Sequence, residues 1–499
     1  MERRPGTKEP QGVEYPTLAT SIATTVSTDS ADPGRWRILA VVLMAAFVVT
    51  LDFFVVNVSI PSIRASLGAS FADLQLVIAS YGLTYAVLLI TGGRLGDIYG
   101  RKRMFLFGVA GFTSASVLCG MAPSPVFLIA SRALQGSMAA LLFPQVLSLI
   151  QVNFPVHERA TAFGFFGMVV GTASFSGNVL GGLLVSADVL GLSWRPIFLI
   201  NLPIGAMAIL AARRTIKESR SPKARRLDLG GVALMTASLV MLLYPLVKGR
   251  EAGWPLWTYA SMAASAAAMA VFVRYERGVT GRGGSPLVEL SLFHDRAFVI
   301  GLFSAVCFFG TTAAFFLIST IFLQNGLGYS ARDAGLTFGS FAIAFLASSL
   351  ASVRVQPKLG SRIINTGAAF MICGLAVLLW MARAYGATLT GLELAPALMI
   401  YGTGQGFVMP TLISTVLINI KGHDAGSASG VLTTVQQCSF ATGVAAIGTI
   451  FFSALGGRTG ADVFVHALFR AFAVNIGLLG ATFLLILQIP RNPVKDVAR

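Results

Sequence analysis

The chain has 499 residues, 55% of them hydrophobic and only 12% charged, with a net charge of +16 and four cysteines. That balance excludes a set of soluble domains and places the chain among multi-pass membrane proteins, so length does not count domains here. The basic residues sit in short clusters between apolar runs rather than on one aromatic-interleaved face, which argues for membrane topology and against a nucleic-acid partner.

Met1 to Arg35 is polar and mixed in charge, without the short apolar core of a secretory leader, and is expected to be a disordered cytoplasmic tail. The first apolar run, near 36–60, carries TLDFFVVNVSIP from Thr50 to Pro61 and is long enough to cross about 30 Å of hydrocarbon. It places Asp52 inside the bilayer, where a charged side chain costs about 2.5–3.5 kcal/mol on insertion scales and is a functional-site candidate by default. Arg132, in the fourth run, is the basic residue that lies within a span. The alternative is a permanent Asp52–Arg132 pair that only holds two helices together.

Further runs follow near 74–95, 104–122, 125–150, 160–187, 196–213, 229–247, 256–273, 297–323, 332–353, 363–384, 392–416, 425–455 and 466–489, which predicts fourteen transmembrane helices. Roughly three-quarters of the 37 basic residues fall on the side of the N-terminal tail. The exceptions are Arg64, Arg195, Lys248, Arg250, Arg332, Arg383, Arg458 and Arg470, with Arg132 embedded. The positive-inside rule then expects both termini in the cytoplasm. The basic stretch from Arg213 to Arg226 reads as a solvated, inside-anchoring linker.

A repeat runs through the chain. LGASFAD from Leu67 to Asp73 matches LGYSARD from Leu327 to Asp333, Gly136 and Pro144 match Gly402 and Pro410, and His157-Glu158 matches His423-Asp424, all at a separation of about 260 residues. Two like-oriented six-helix units, 36–213 and 297–489, are therefore expected, with two inserted helices in 229–273. Linkers at 214–228 and 274–296 and a C-terminal cytoplasmic tail at 490–499 complete the division.

The loop between the second and third runs reads GGRLGDIYGRKR, Gly92 to Arg103, where glycines permit a tight turn and close helix approach and Asp97 can pair with Arg101 or cap a helix. This loop is similar to the signature of the major facilitator superfamily. With LDFFVVNVSIP, RALQGSMAALLFP (Arg132 to Pro144), WRPIFLINLPIG (Trp194 to Gly205) and SPLVELSLFHDRAF (Ser285 to Phe298), the chain resembles the fourteen-helix drug:H+ antiporters of the EmrB/QacA type from Trp36 onward. The resemblance implies an all-α major facilitator fold, Asp52 and Arg132 as proton-coupling residues, and Gly93, Asp97, Gly100 and Arg101 as a cytoplasmic gate loop. It also implies that Asp97 latches onto the chain near Asp424 to Gly426 when that side is shut. In the fifth run the antiporter pattern has a proline where this chain has Asn178, in Gly177-Asn178-Val179-Leu180-Gly181-Gly182, so a proline-imposed bend is not assured.

An apolar wall with few polar groups, Phe53, Phe143, Gln145, Phe309 and Gln405, sketches a cavity for small lipophilic molecules. Cys119, Cys307, Cys373 and Cys438 lie far apart inside apolar runs, and the four histidines are dispersed, so neither a disulfide framework nor a metal site is expected. No cofactor and no enzymatic activity are expected, since no nucleophile meets a base. The partners expected are a small lipophilic substrate, protons and the lipid bilayer, and one chain suffices. The chain reads as a proton-coupled exporter of the cell membrane. A symporter or uniporter of the same fold, or a non-transporting membrane sensor, are the alternatives.

Overall fold

The computed structural model describes residues 33–188, 191–221, 227–249, 252–456 and 460–489. The expected tails, apart from residues 33–35, and residues 222–226 of the basic linker lie outside the described residues.

The described chain is built of helices. Those of the first unit are α1 (Arg35–Leu67), α2 (Phe71–Tyr99), α3 (Arg101–Gly120), α4 (Pro125–Asn153), α5 (Val156–Ser186), a short α6 (Pro196–Leu199) and α7 (Asn201–Thr215). An inserted hairpin, α8 (Leu229–Lys248) and α9 (Leu256–Gly281), follows. The second unit holds α10 (Arg296–Ile321), α11 (Ala331–Leu359), α12 (Arg362–Tyr385), α13 (Gly391–Leu417), α14 (Ala425–Leu455) and α15 (Ala461–Leu487). Their ends carry local stop and start chemistry. Ser70 with Asp73 and Thr390 with Glu393 form capping boxes at α2 and α13, while Gly68 and Gly456 end α1 and α14 in the left-handed region.

The internal repeat is visible in the packing. α1 packs on α5 and α7, α2 on α4, and α3 on α4 and α7; α10 packs on α14 and α15, α11 on α13, and α12 on α13 and α15. Twelve helices, rather than the expected fourteen, are long and apolar enough to cross a membrane among the described residues. With α6 and α7 taken as one span, the remaining helices are α5, several of whose residues lie outside the described ones, and α13, which falls short although it runs for 27 residues. The reason is composition: small and polar residues such as Gly402, Thr403, Gly404, Gln405 and Gly406 dilute α13. Almost every residue from Tyr401 to Leu417 is shielded by neighbouring helices, so this helix has little lipid to satisfy. The run expected at 196–213 is broken after Leu199, and α7 restarts at Asn201.

The two units touch at one end of the bundle, the end that carries the start of α1 and the α2–α3 turn. There α2 and α4 meet α14, and α5 meets α11 and α13. The last carbonyls of α13 are served from the first unit: Gln151 Nε2 donates to Leu417 O (2.8 Å) and Ile420 O (2.9 Å), and Arg159 Nη1 donates to Ile418 O (3.0 Å). Cationic and amide donors at a helix C-terminus complement its dipole. The α8–α9 hairpin lies against α2 and α14 at their junction.

At the same end Arg35 Nε and Nη2 donate to the two Glu158 carboxylate oxygens at 2.6 and 2.8 Å, tying the start of α1 to that of α5. The hydrogen bond from Arg35 holds the Glu158 carboxyl below its ordinary range. A depressed carboxyl contributes stability above its unfolded value, near 4.5, and loses it as pH falls through the lower folded one. Glu158→Gln is expected to cost below about 1 kcal/mol at neutral pH and nothing in strong acid, read as the pH dependence of thermal unfolding in detergent.

Candidate functional site

Asp52 sits midway along α1 with no solvent exposure. Its Oδ2 accepts Arg132 Nη1 from α4 at 2.6 Å, and its Oδ1 accepts Gln135 Nε2 and Asn201 Nδ2, each at 2.8 Å. The structure thus brings together the acid and base singled out in the sequence, and adds two amides. Gln135 lies three residues beyond Arg132 on the same face of α4, the one signal that could have found it. Asn201 reaches Asp52 because α7 begins at that residue. Asn201 Nδ2 also donates to Ser116 Oγ on α3 (2.9 Å), which in turn donates to Phe198 O (2.9 Å). No local pattern marks Ser116.

Arg132 is 1% exposed, with Nη1 also on Gln135 Oε1 (2.7 Å) and Nε on Val77 O (3.4 Å). Its guanidinium lies 4.2 Å over the Tyr81 ring of α2 and 5.7 Å from Phe198. Charge delocalised over a plane suits this sandwich better than a point charge would. Every one of these partners of Asp52 is a donor, so both carboxyl oxygens serve as acceptors. Arg132→Lys is expected to lower stability by about 1–3 kcal/mol, since an ammonium cannot serve Asp52, Gln135 and Val77 together; thermal unfolding in detergent checks it.

The second constellation is the α2–α3 turn. Asp97 Oδ1 accepts Arg101 Nη2 at 2.6 Å and its Oδ2 accepts the Ser427 N–H at 3.1 Å, in the first turn of α14. Arg101 Nη2 also donates to Gly422 O at 2.7 Å. A carboxylate on the positive end of α14 and a guanidinium on the preceding carbonyl make a two-point latch. Both side chains are buried, at 0% and 2% exposure. The Asp97 contact is made at Ser427, one residue beyond the stretch from Asp424 to Gly426 named for it in the sequence.

Gly93 and Gly426 are the crossing point. A Cβ on either would overlap the other's carbonyl, so the backbones approach as only glycine allows. Gly100 turns the chain at φ 110°, and a Cβ there would strike the Glu218 carboxylate. Glu218, from the linker after α7, accepts the backbone N–H of Lys102 (3.1 Å) and Arg103 (3.2 Å) at the start of α3. Arg101 N donates to Ser219 O (2.9 Å) and Ser221 N to Asp97 O (3.0 Å), so this linker segment braces the turn, a role no motif announces.

In α5, Gly177 and Gly181 let that helix close on Leu51 to Val55 of α1, directly beside Asp52. The helix runs unbroken through Asn178 and Gly182; the Asn178 side chain lies outside the described residues. Of the sketched cavity, Gln145 is fully buried and donates to Gly92 O (2.8 Å) and Leu141 O (3.2 Å), so it joins α4 to α2. Phe309 is 1% exposed and packs edge-on against Phe308 and Phe440, while Phe143 bridges Tyr85 and Phe166. Phe53 stays partly exposed beside Phe54 and Tyr81. Gln405 leaves its Oε1 buried and without a partner. Among the described residues, no group of His, Cys, Asp and Glu could hold a metal ion.

A model of the Major Facilitator Superfamily matches residues 42–444. The chain is 42% identical to a probable actinorhodin transporter of Streptomyces coelicolor over 86% of this chain and 74% of that one. It is 34% identical to a puromycin resistance protein of Streptomyces alboniger, over 93% of each. A cephamycin export protein of Amycolatopsis lactamdurans is 36% identical over 84% and 85%. Among solved structures, the human organic anion transporter MFSD10 superposes with a TM-score of 0.62 at 15% identity over 91% of this chain and all of that one. The proton:xylose symporter XylE gives 0.61 at 14% identity, over 89% and 95%. A duplicated all-helical bundle, a glycine-rich latch between α2 and α14 and relatives of this closeness make this chain a multi-pass membrane protein of the major facilitator superfamily.

Proposed function

We propose that the chain is a proton-coupled exporter of small lipophilic compounds, such as antibiotics or a cell's own secondary metabolites, acting in the plasma membrane with both termini in the cytoplasm. The reading is supported above all by Asp52, a fully buried carboxylate on α1 whose Arg132, Gln135 and Asn201 partners all belong to one half. Such an acid can take or lose a proton without breaking the contact between halves. The relatives named for actinorhodin transport, puromycin resistance and cephamycin export support the direction and the kind of cargo.

In this reading the units 36–213 and 297–489 rock about a central cavity, with the partly exposed Phe53 on its wall. The latched end is cytoplasmic, so the conformation described opens outward. Proton uptake by Asp52 from the outside loosens its hold on Arg132 and shifts the balance toward release of the Asp97–Ser427 latch. Release of the proton inward, with substrate bound, resets it. α5 and α13 cross the bilayer as well, giving fourteen helices as in the EmrB/QacA antiporters, and one chain suffices as the transport unit.

The test is purified chain in liposomes, with puromycin and a panel of lipophilic dyes and antibiotics as probes, under an imposed pH gradient. Gradient-dependent flux of at least one probe, collapsed by a protonophore, is expected. Flux indifferent to the gradient across the whole panel would sink the reading.

A further inference from the structure

The inserted hairpin brings a buried charge cluster to the gate that the latch itself does not use. Arg94, three residues before Asp97 on α2, is 2% exposed, and its Nε and Nη2 have no hydrogen-bond partner. Within electrostatic reach of it is Glu276 of α9, fully buried. Glu276 Oε1 accepts the Leu287 N–H at 3.2 Å, while Oε2 has no partner. Asp228, the N-cap of α8, takes the Gly231 N–H and the Tyr275 hydroxyl on Oδ1, each at 2.9 Å, and leaves Oδ2 buried and unpartnered. A Cβ built on Gly231 would meet both Glu276 Oε1 and Asp228 Oδ2. The two carboxyls therefore flank one point, and a residue without a side chain makes the room.

Burial and the neighbouring Asp228 charge both disfavour an ionised Glu276, which is where a proton would sit. The unpartnered Oε2 and Oδ2 are open to it, and Arg94 supplies the countercharge. The charged and titratable groups facing Glu276 are Asp228 from α8 and Arg94 from α2, with Tyr275 on its own helix; Arg282 lies near Tyr275, and Asp97 with Arg101 lies beyond Arg94.

We propose that Glu276, held beside Asp228 on the inserted hairpin, is a second proton-binding site, which sets the strength of the α2–α14 latch through Arg94. With the proton bound, Glu276 is neutral, and the Arg94 charge supports the Asp97 carboxylate that accepts the Ser427 N–H. When the proton leaves, Glu276 draws Arg94 toward the hairpin, and Asp97 loses that support. The latched conformer thus binds this proton more tightly than the unlatched one, and by linkage a rising pH at the latched end favours opening. This inference rests on the reading that the latch opens and closes in transport, and it is independent of the role of Asp52.

The experiment measures resonance energy transfer between fluorophores on unnatural residues replacing Phe107 of α3 and Lys421 before α14, both exposed, in the full chain in liposomes. In the wild type, transfer is expected to fall between about pH 5 and pH 8, the closed-to-open ratio changing up to tenfold for each unit of differential proton affinity. Glu276→Gln should hold transfer high and remove the pH response. Asp228→Asn, which keeps the cap oxygen but removes the like charge, should move the midpoint toward acid by about one pH unit. A wild-type distance indifferent to pH, or a Glu276→Gln protein with the wild-type response, overturns the proposal. If Glu276→Gln does not insert, an unmoved midpoint in Asp228→Asn overturns it. A pH-responsive latch in liposomes that show no proton-driven flux would instead sink the exporter reading and leave this site standing.

Discussion

Asp52→Asn is expected to reduce gradient-driven flux to the level of liposomes without protein. The substitution preserves shape but removes the only carboxyl group of the cluster. It also turns one acceptor into an amide donor among three donors, Arg132, Gln135 and Asn201, so at least one contact becomes unfavourable. Leaving the Arg132 guanidinium buried without its countercharge costs up to about 3–5 kcal/mol, which thermal unfolding of the purified variant would register. The decisive comparison is exchange of a bound probe across the membrane without a gradient. A variant that still exchanges but no longer concentrates the probe has lost coupling alone. Undiminished gradient-driven flux would remove Asp52 from the proton path and leave its pair with Arg132 as a strut between α1 and α4.

Gly426→Val is expected to prevent the latched conformation. A Cβ at Gly426 overlaps the Gly93 carbonyl and the Asp97 carboxylate, and the backbone on both sides of the crossing leaves little room to yield. Overpacking of this kind costs about 1–3 kcal/mol, enough to shift the closed-to-open ratio by roughly 5- to 150-fold. Gly422→Val supplies the control, because nothing lies within 4 Å of a Cβ there. The readout is alkylation of a cysteine placed at Ser429, which is fully buried in the latched protein. Rapid alkylation with Gly426→Val and slow alkylation with Gly422→Val are expected, with export lost only in the former. Equal protection in both would mean that α2 and α14 can part or slide without this crossing.

The acid on the first helix and the base on the fourth were legible because an ionisable residue inside an apolar run stands out against the cost of burying it. The α2–α3 turn was legible for a related reason, since glycines and charges crowd a loop that would otherwise need neither, but its contact with the start of α14 was expected only from the family resemblance. Their supporting groups were not. Gln135, Asn201 and Ser116 are ordinary polar residues whose purpose arises only where α1, α3, α4 and α7 converge, and Glu218 caps α3 from a linker that reads as solvated charge. Gln145 misled in the opposite direction, since a glutamine in an apolar run suggests a cavity wall when it in fact bonds Gly92 across a helix crossing.

The count of spans shows the same division. Apolarity measures what faces lipid, and α13, enclosed by its neighbours from Tyr401 to Leu417, has no need of it. The amino-acid order alone determined a duplicated helical membrane protein, the embedded residues Asp52 and Arg132, and a glycine-rich charged turn around Asp97, because hydropathy, repeat spacing and misplaced charge are all properties of local sequence. Tertiary structure decided which residues complete the Asp52 cluster, which end of the bundle is shut, and that Arg94, Asp228 and Glu276 meet at all. Those facts depend on helices hundreds of residues apart being pressed together, and no window along the chain contains them.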